Sequence, residues 1–375
     1  MTRPTAQRKS PARPGSFSSA ARVLLLACGI QAAPALAADG DGWQLSLRSS
    51  HHSDASALAR SSDLHGRDLA PRSGRNLAYI DDEARLTRDS GAWHWSLLAR
   101  SRATLVASHD ALDLYRHLDS GSALTGARDW ATRARLRGFS GNGLAVGRGH
   151  EMGGGWAASW ELQSLVLSRW RERRVDGAVS ADAVSGRYAF ALHSSQADNR
   201  LAFPFQTASA SSGSALLAGA KLTWQGGPWH VDAALHDAGW LRWRGQPRQD
   251  AVLDSATAAV DADGFLIYRP LIQGQNRQDT RLRAAPWWTT LDARGRIGAG
   301  TLRIGADVLP GFGALPWLGW QQDFGSAEGA LLWRAHERRL TLQWRWRGLA
   351  LSAGTDGRGG GARSRELALA WRLPI

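Results

Sequence analysis

Apolar and polar residues alternate strictly in this chain and change phase at short turns, which constrains the fold more than any other feature. From residue 340 to 346 the even positions are apolar and the odd positions polar, and after Arg347-Gly348 the apolar residues occupy odd positions. A two-residue turn there puts six apolar side chains on one face of a hairpin. The cross-strand pairs are Trp346 with Leu349, Trp344 with Leu351 and Leu342 with Ala353. The pattern predicts antiparallel strands.

The same phase changes predict further hairpins, with turns at 89–90, 225–228, 261–264 and 336–339. Longer polar connections separate many of the hairpins: 50–76, 108–129, 194–213, 244–255 and 271–280. Tight turns alternating with long loops are typical of a membrane barrel with turns on the periplasmic side and loops outside. We predict an all-β fold, a single antiparallel transmembrane β-barrel of about 14 strands (roughly 12 to 16).

Tryptophan recurs near the ends of the predicted strands and accounts for 19 of the 375 residues. Amphipathic rings at headgroup depth form the girdles of membrane barrels. The predicted membrane girdle is Trp43, Trp93, Trp95, Trp224, Trp229, Trp344, Trp346 and Trp371. The alternative is a soluble periplasmic β-sandwich with a tryptophan-rich core.

The last strand alternates to the end of the sequence, with apolar side chains at Leu367, Leu369, Trp371, Leu373 and Ile375. This ending resembles the C-terminal assembly signal of Gram-negative outer-membrane β-barrel proteins, although those usually end in Phe or Trp. The stretch 153–164 is similar to strands of porins and polysaccharide-export barrels. The resemblance implies that outer-membrane lipid and the barrel-assembly machinery are partners.

A secretory signal is predicted at residues 1–37, followed by a barrel domain at 38–375. The segment has a basic start, an apolar stretch from Val23 to Ile30 and the small-residue site Ala35-Leu36-Ala37. Cleavage after Ala37 removes Cys28, the only cysteine, whereas lipidation of Cys28 is the competing interpretation. The net charge of +13 falls to +8 because five bases and no acids leave with the signal.

The remaining charge is mostly arginine on the strand face opposite to the apolar one. Arginine facing lipid at mid-bilayer costs about 2–4 kcal/mol, so these side chains should line the bore or its rims. The pore-lining candidates are Arg133, Arg135, Arg137, Arg242, Arg244, Arg281, Arg283, Arg303 and Arg345. Such a lining favours anionic solutes. The alternative is neutralisation by nearby acids, namely Asp82, Glu83, Glu161, Asp232 and Asp307.

The resulting functional hypothesis is a pore or export channel of the cell outer membrane for small solutes or polymers, with anions as the favoured class. One alternative is a non-enzymatic scaffold barrel with a plugged lumen and partner-binding loops. Another is a barrel enzyme acting on lipid or polysaccharide, for which His193 beside Ser194 and Ser195 is the candidate group. We predict no enzymatic activity, no cofactor and no catalytic or metal site.

Two other sequence features have simpler interpretations. His51-His52-Ser53-Asp54 holds potential metal ligands, but no second ligand group follows at helical spacing, so we expect a solvated loop. The basic charge is not a nucleic-acid signature, because the arginines alternate with lipid-compatible residues in an exported protein.

Overall fold

The computed structural model describes residues 41–60, 65–203, 211–256, 258–260, 266–268 and 270–374. The predicted signal peptide at 1–37, the turn at 261–264 and Ile375 lie outside the described residues. In the described ranges, no helix is both long and apolar enough to cross a bilayer.

Strands make up most of the described chain, with one α-helix and three short 3-10 turns. The strands are β1 Gly42–Ser53, β2 Arg75–Ser90, β3 Trp93–Ser108, β4 Arg128–Gly153, β5 Trp156–Asp182, β6 Arg187–Asp198, β7 Ser212–Gly226, β8 Trp229–Asp254, β9 Ala258–Val260, β10 Leu266–Tyr268, β11 Ile272–Ala284, β12 Trp288–Ile297, β13 Gly300–Leu309, β14 Gly313–Phe324, β15 Ala327–Arg334, β16 Arg339–Trp346, β17 Leu349–Thr355 and β18 Ser364–Pro374. The helix is α1, His109–Ser120, and the 3-10 turns are Leu58–Arg60, Gly66–Asp68 and Gly359–Gly361.

These strands form a closed antiparallel barrel of 14 strands, as the hydrophobic pattern predicts. The sheet closes where β18 pairs with β1, from Gly42 opposite Pro374 to His52 opposite Ser364. Each of two long strands pairs along one edge with two shorter strands in succession. β5 pairs with β7 and then β6, and β8 pairs with β12 and then β11. β9 and β10 form a separate hairpin.

The two ends of the barrel differ, and we call them the turn end and the loop end. Short connections join strands at the turn end, where β1 also begins and β18 finishes: 91–92, 154–155, 227–228, 298–299, 325–326 and 347–348. Gly154 and Gly155 adopt positive φ angles of 61° and 80° in one of these turns. The longest connections, 54–74 and 109–127, lie at the loop end.

Three of the predicted loops contain strand segments of five residues or more. Residues 194–198 belong to β6, 244–254 to β8 and 272–280 to β11, and these strands extend a wall beyond the barrel at the loop end. Residues 272–278 are all exposed on this wall, and their sequence lacks the apolar period that marks the strands below. The connection 108–129 contains α1, which Ser108 caps by accepting a hydrogen bond from the Ala111 amide at 3.2 Å.

The hairpin predictions succeed for face, but only some of them succeed for register. The turn at 347–348 pairs Trp346 with Leu349 as predicted. In the hairpin predicted at 89–90, Leu86 pairs with Leu97 rather than Trp93, because the turn is at 91–92. The shift is an even number of residues, so every side chain keeps its predicted face.

The outer face of the lower barrel is apolar along its height. On β8 the outward residues between Trp229 and Trp240 are Val231, Ala233, Leu235 and Ala238, to judge from their pairing with the outward side chains of β7. Eleven steps of ~3.3 Å on a strand tilted by ~40° rise about 28 Å. This height matches the apolar band of about 25 Å that outer-membrane barrels expose to lipid.

Candidate functional site

The bore is crossed by ion pairs between strands that are not neighbours. Arg100 on β3 donates to both carboxylate oxygens of Asp237 on β8, at 2.7 and 3.0 Å, and Arg102 donates to the same carboxylate at 2.8 Å. Arg85 on β2 pairs with Glu161 on β5. We call these contacts the lumen network. Arg100 and Asp237 are almost completely buried, so the network obstructs the bore at this level.

A β-bulge positions the central acid of the lumen network. Asp237 has a φ of 60°, and the pairing of β7 with β8 shifts register between Ala218 and Ala220. Aspartate tolerates this left-handed conformation better than most residues. The bulge turns the carboxylate inward, although an undisturbed strand would place Asp237 and inward-facing His236 on opposite faces.

Other interior charges are also paired. Arg303 donates to Asp292 at 2.8 Å and to Gln343 at 3.1 Å, and Arg334 donates to Asp307 at 2.6 Å. Of the five acids named in the neutralisation hypothesis, Glu83, Glu161, Asp232 and Asp307 pair with interior bases. Asp82 is different, because it lies on the outer face and pairs with His51 at 2.9 Å.

An aromatic side chain fills the bore beside the lumen network. The Trp288 ring stacks on His236 at a centroid distance of 4.2 Å, and the Arg102 guanidinium lies 4.8 Å from its centroid. Trp288 also borders an inner cavity of about 200 Å³, which extends past Asp307, Arg334 and Gln343. The bore therefore has little free volume at this level.

A larger cavity of about 690 Å³, which we call the vestibule, lies on the loop-end side of the inner cavity. The two cavities share Arg102, Thr104 and Leu309 as lining residues. The charged side chains around the vestibule are Arg75, Arg102, Arg133, Arg135, Arg137 and Asp176. The break between β11 and β12 and the turn between β13 and β14 contribute apolar lining: Ala284, Ala285, Pro286, Trp287, Leu309 and Pro310.

The vestibule has an excess of positive charge. Asp176 pairs with Arg174 and lies 3.6 Å from Arg133. Among the described residues, no acid forms an ion pair with Arg135 or Arg137. Mid-bore charges are balanced by comparison, so unpaired positive charge is concentrated in the vestibule.

The nine predicted pore-lining arginines lie in different parts of the barrel. Arg133, Arg135 and Arg137 line the vestibule, and Arg303 lines the inner cavity. Arg281 faces inward, 3.3 Å from Glu172, and Arg283 shares its face. Arg345 faces inward near the turn end, is half-exposed and donates to Glu328 at 3.3 Å.

The prediction is wrong for Arg242 and Arg244. They alternate with Trp243, which is buried on the inner face, and they share the outer face with Trp240. The bulge at Asp237 inverts the inward parity of β8, from even positions below to odd positions above. These two arginines lie just beyond Trp240, at the rim of the apolar band.

The eight predicted girdle tryptophans all lie on the outer face close to the turn end. Seven are exposed, and Trp224 is half-buried against Trp156. Of the predicted assembly signal, Leu367, Leu369, Trp371 and Leu373 share the outer face of β18, and Ala368 and Ala370 are buried on the opposite face. Their role in girdle formation and assembly stays a prediction.

The segment expected to be a solvated histidine loop is a buried cluster. His52 and Asp54 are fully buried, and His336 from the turn between β15 and β16 joins them. Each histidine Nε2 lies 3.0 Å from an Asp54 carboxylate oxygen. Burial raises the pKa of Asp54, but hydrogen bonds from His336, His52 and the Leu77 amide outweigh burial and hold it far below its usual range. These three side chains lie close enough to hold a metal ion.

Residue spacing alone could not identify His336, which is 282 residues from Asp54. Tertiary structure brings the turn between β15 and β16 against the end of β1. A lone histidine in a predicted turn was the only available signal.

The residues considered for an enzymatic role, His193, Ser194 and Ser195, lie on the wall at the loop end. His193 and Ser195 share an inward face with Asp250, and they line a cavity of about 620 Å³. In the described part of the chain, no hydrogen bond joins His193 to Ser194 or Ser195. Asp250 is held by Arg248 at 2.8 Å and Arg277 at 2.9 Å.

Comparisons with known proteins give structural similarities only. No family model and no curated protein matches the sequence. The P. putida toluene transporter TodX aligns over 90% of each chain, with a TM-score of 0.41 and 8% identity. The Ralstonia pickettii toluene transporter TbuX aligns over 90% of each chain, with a TM-score of 0.28 and 8% identity. The Escherichia coli outer membrane protease OmpT aligns over 89% of this chain and 97% of its own, with a TM-score of 0.25 and 7% identity.

These likenesses are too distant to transfer a substrate or an activity to this chain. The strand closure and the apolar outer band carry the structural conclusion. The chain has the architecture of a Gram-negative outer-membrane β-barrel.

Proposed function

We propose that this protein is a selective channel of the outer membrane, with the turn end in the periplasm and the loop end outside. Small anionic solutes enter the vestibule, and the lumen network closes the path below it at rest. The single observation that carries the proposal is the arginine-rich cavity of about 690 Å³ directly above a constriction made of paired charges. A general diffusion pore needs a wide, open bore, which this arrangement does not provide.

The closed bore also favours a second candidate, a scaffold barrel whose loops bind a partner. Buried ion pairs such as Arg100–Asp237 fill the lumen in either case. The vestibule distinguishes the two candidates, because a scaffold has no need of a basic cavity leading toward the bore. Polymer export is disfavoured, since a polymer would have to displace the whole network. We retain the proposal that the protein is not an enzyme.

Single-channel recording in planar bilayers tests the proposal. The wild type is compared with the double variant Arg100→Ala, Asp237→Gly, which removes the principal ion pair without changing net charge. Glycine suits the left-handed backbone at position 237. The matched control, His51→Gln with Asp82→Asn, removes a pair on the outer face.

We expect small, intermittent wild-type conductance, a several-fold increase in the double variant and no change in the control. In a KCl gradient the reversal potential should show anion preference. If folded wild type and double variant both fail to conduct, the channel is refuted and the scaffold is supported. Cation selectivity would refute the anionic solute class.

A further inference from the structure

The cluster of His52, Asp54 and His336 joins three separate parts of the mouth at the loop end. His52 lies near the end of β1, Asp54 follows that strand, and His336 is in the turn between β15 and β16. The Asp54 carboxylate also accepts the Leu77 amide of β2 at 2.7 Å. Two imidazoles and one carboxylate therefore converge where four strands meet the loops.

The separations of the donor atoms suit a small divalent cation. Both Nε2 atoms lie 3.0 Å from an Asp54 oxygen, and all the ligand atoms lie within 4.8 Å of one another. Ligands about 2.0–2.1 Å from a tetrahedral zinc ion are about 3.3 Å apart. The two histidines approach different Asp54 oxygens, so separations of up to 4.8 Å must close by as much as about 1.5 Å to reach tetrahedral spacing. The three side chains would then occupy three corners of a tetrahedron, with water as the fourth ligand.

The hydrogen bonding of Asp54 resembles the outer shell of a metal site, whereas that of His52 does not. A ligating carboxylate normally accepts further hydrogen bonds, as Asp54 does from the Leu77 amide. His52 is fully buried, and among the described residues its Nδ1 has no hydrogen-bond partner. That nitrogen can carry the ring proton once Nε2 binds a cation. His336 is partly exposed and gives access from solvent.

One contact competes with a metal ion. The Arg72 guanidinium lies 2.6 Å from the Asp54 oxygen that faces His52, and this positive charge repels a cation. Arg72 is about a quarter exposed, but it also donates to the His336 carbonyl at 2.9 Å, so it must release both contacts to swing toward solvent. The competition makes opposite predictions for a metal site and for a simple ion-pair cluster.

We propose that His52, Asp54 and His336 form a zinc-binding site that clasps the turn between β15 and β16 to the ends of β1 and β2. Mixed nitrogen and oxygen ligands suit Zn²⁺, whereas Mg²⁺ and Ca²⁺ prefer oxygen donors. The proposal does not depend on solute passage, because none of the three side chains lines the inner cavity or the vestibule.

Titration of the full, detergent-solubilised protein with ZnCl₂, in competition with a chromophoric chelator, tests the site. We expect one zinc per chain, retained in excess Mg²⁺ or Ca²⁺. His336→Ala and Asp54→Asn should weaken binding by more than about tenfold, the loss that even an outer-shell partner can produce. The matched control is His51→Ala, because His51 is the adjacent histidine but points to the outer face and pairs with Asp82.

Arg72→Ala gives the sharpest outcome. Removing the competing charge should strengthen zinc binding if the site holds a metal. Unchanged or weaker binding in this variant would overturn the proposal, as would equal losses in His51→Ala and His336→Ala. Absence of zinc binding by folded wild type would leave only a hydrogen-bonded cluster. The readout is metal affinity, so it is separate from the conductance that tests the channel.

Discussion

Replacing Asp237 by asparagine tests whether the lumen network is the main polar contribution to the stability of the barrel. The side chains have nearly the same shape, and asparagine also tolerates the left-handed φ of 60° at this position. The change removes only the negative charge that Arg100 and Arg102 share. Because both arginines are more than nine-tenths buried, solvent cannot replace that charge.

The expected loss follows from the three hydrogen bonds that Asp237 accepts from the two guanidinium groups. Charge-assisted hydrogen bonds contribute about 1.5–3 kcal/mol each, and asparagine can keep one of them as a weaker, neutral bond. Leaving a buried charge without its partner typically costs about 3–5 kcal/mol. We expect the free energy of unfolding to fall by about 3 kcal/mol, roughly a hundredfold in the folding equilibrium constant.

Urea unfolding of the barrel in lipid vesicles, followed by tryptophan fluorescence and by gel mobility without heating, measures this loss. Asp82→Asn is the matched control, because Asp82 is about two-fifths exposed and pairs with an exposed histidine. An exposed pair of this kind contributes about 0–1 kcal/mol. Equal losses in the two variants would show that the lumen network is solvated, and the closed bore would then be refuted.

Two further predictions concern the lipid face and the loop end. Leu235→Arg lies near the centre of the apolar band and should destabilise the barrel by about 2–4 kcal/mol in vesicles. Leu271→Arg lies beyond the band and should change stability by less than about 0.5 kcal/mol. Equal effects of the two variants would contradict the membrane orientation. Burial raises the pKa of Asp113 in α1, but the hydrogen bond from Trp130 and the charges of Arg128 and Arg116 lower it overall. The docking of α1 is therefore stabilised above the ordinary aspartate pKa of about 3.9 and weakens as the pH falls below it. A spin label attached at Tyr115→Cys should become mobile at low pH. With Asp113→Asn added, the same label should be mobile at every pH. If the mobility of the label did not depend on pH when Asp113 is intact, this coupling would be refuted.

The period-two pattern determined the class of fold and the inward or outward face of most side chains. Trp346, Leu349 and their neighbours lie on the predicted face, because the pleat of a strand allows only two directions. Strand register was less accessible from the sequence. Moving the turn from 89–90 to 91–92 changes every cross-strand pair of β2 and β3 but no side-chain face.

The wrong predictions have one physical cause. Each concerns a structural feature that leaves no mark on the alternation of apolar and polar residues along a strand. The bulge at Asp237 reversed the faces of Arg242 and Arg244, and a single inserted residue is invisible when small and polar residues surround it. α1 was missed because it is a polar surface helix that buries little more than Asp113, Leu114 and His117.

By itself, the sequence determined that the chain forms a closed antiparallel barrel with an apolar outer face, because one lipid-facing and one polar face impose the alternation. Tertiary structure decided what the interior does. Charge composition cannot distinguish an open arginine-lined bore from one closed by ion pairs, since that depends on which strands face each other. Arg100 meets Asp237 from 137 residues away, and His336 meets Asp54 from 282 residues away. Barrel closure creates both contacts.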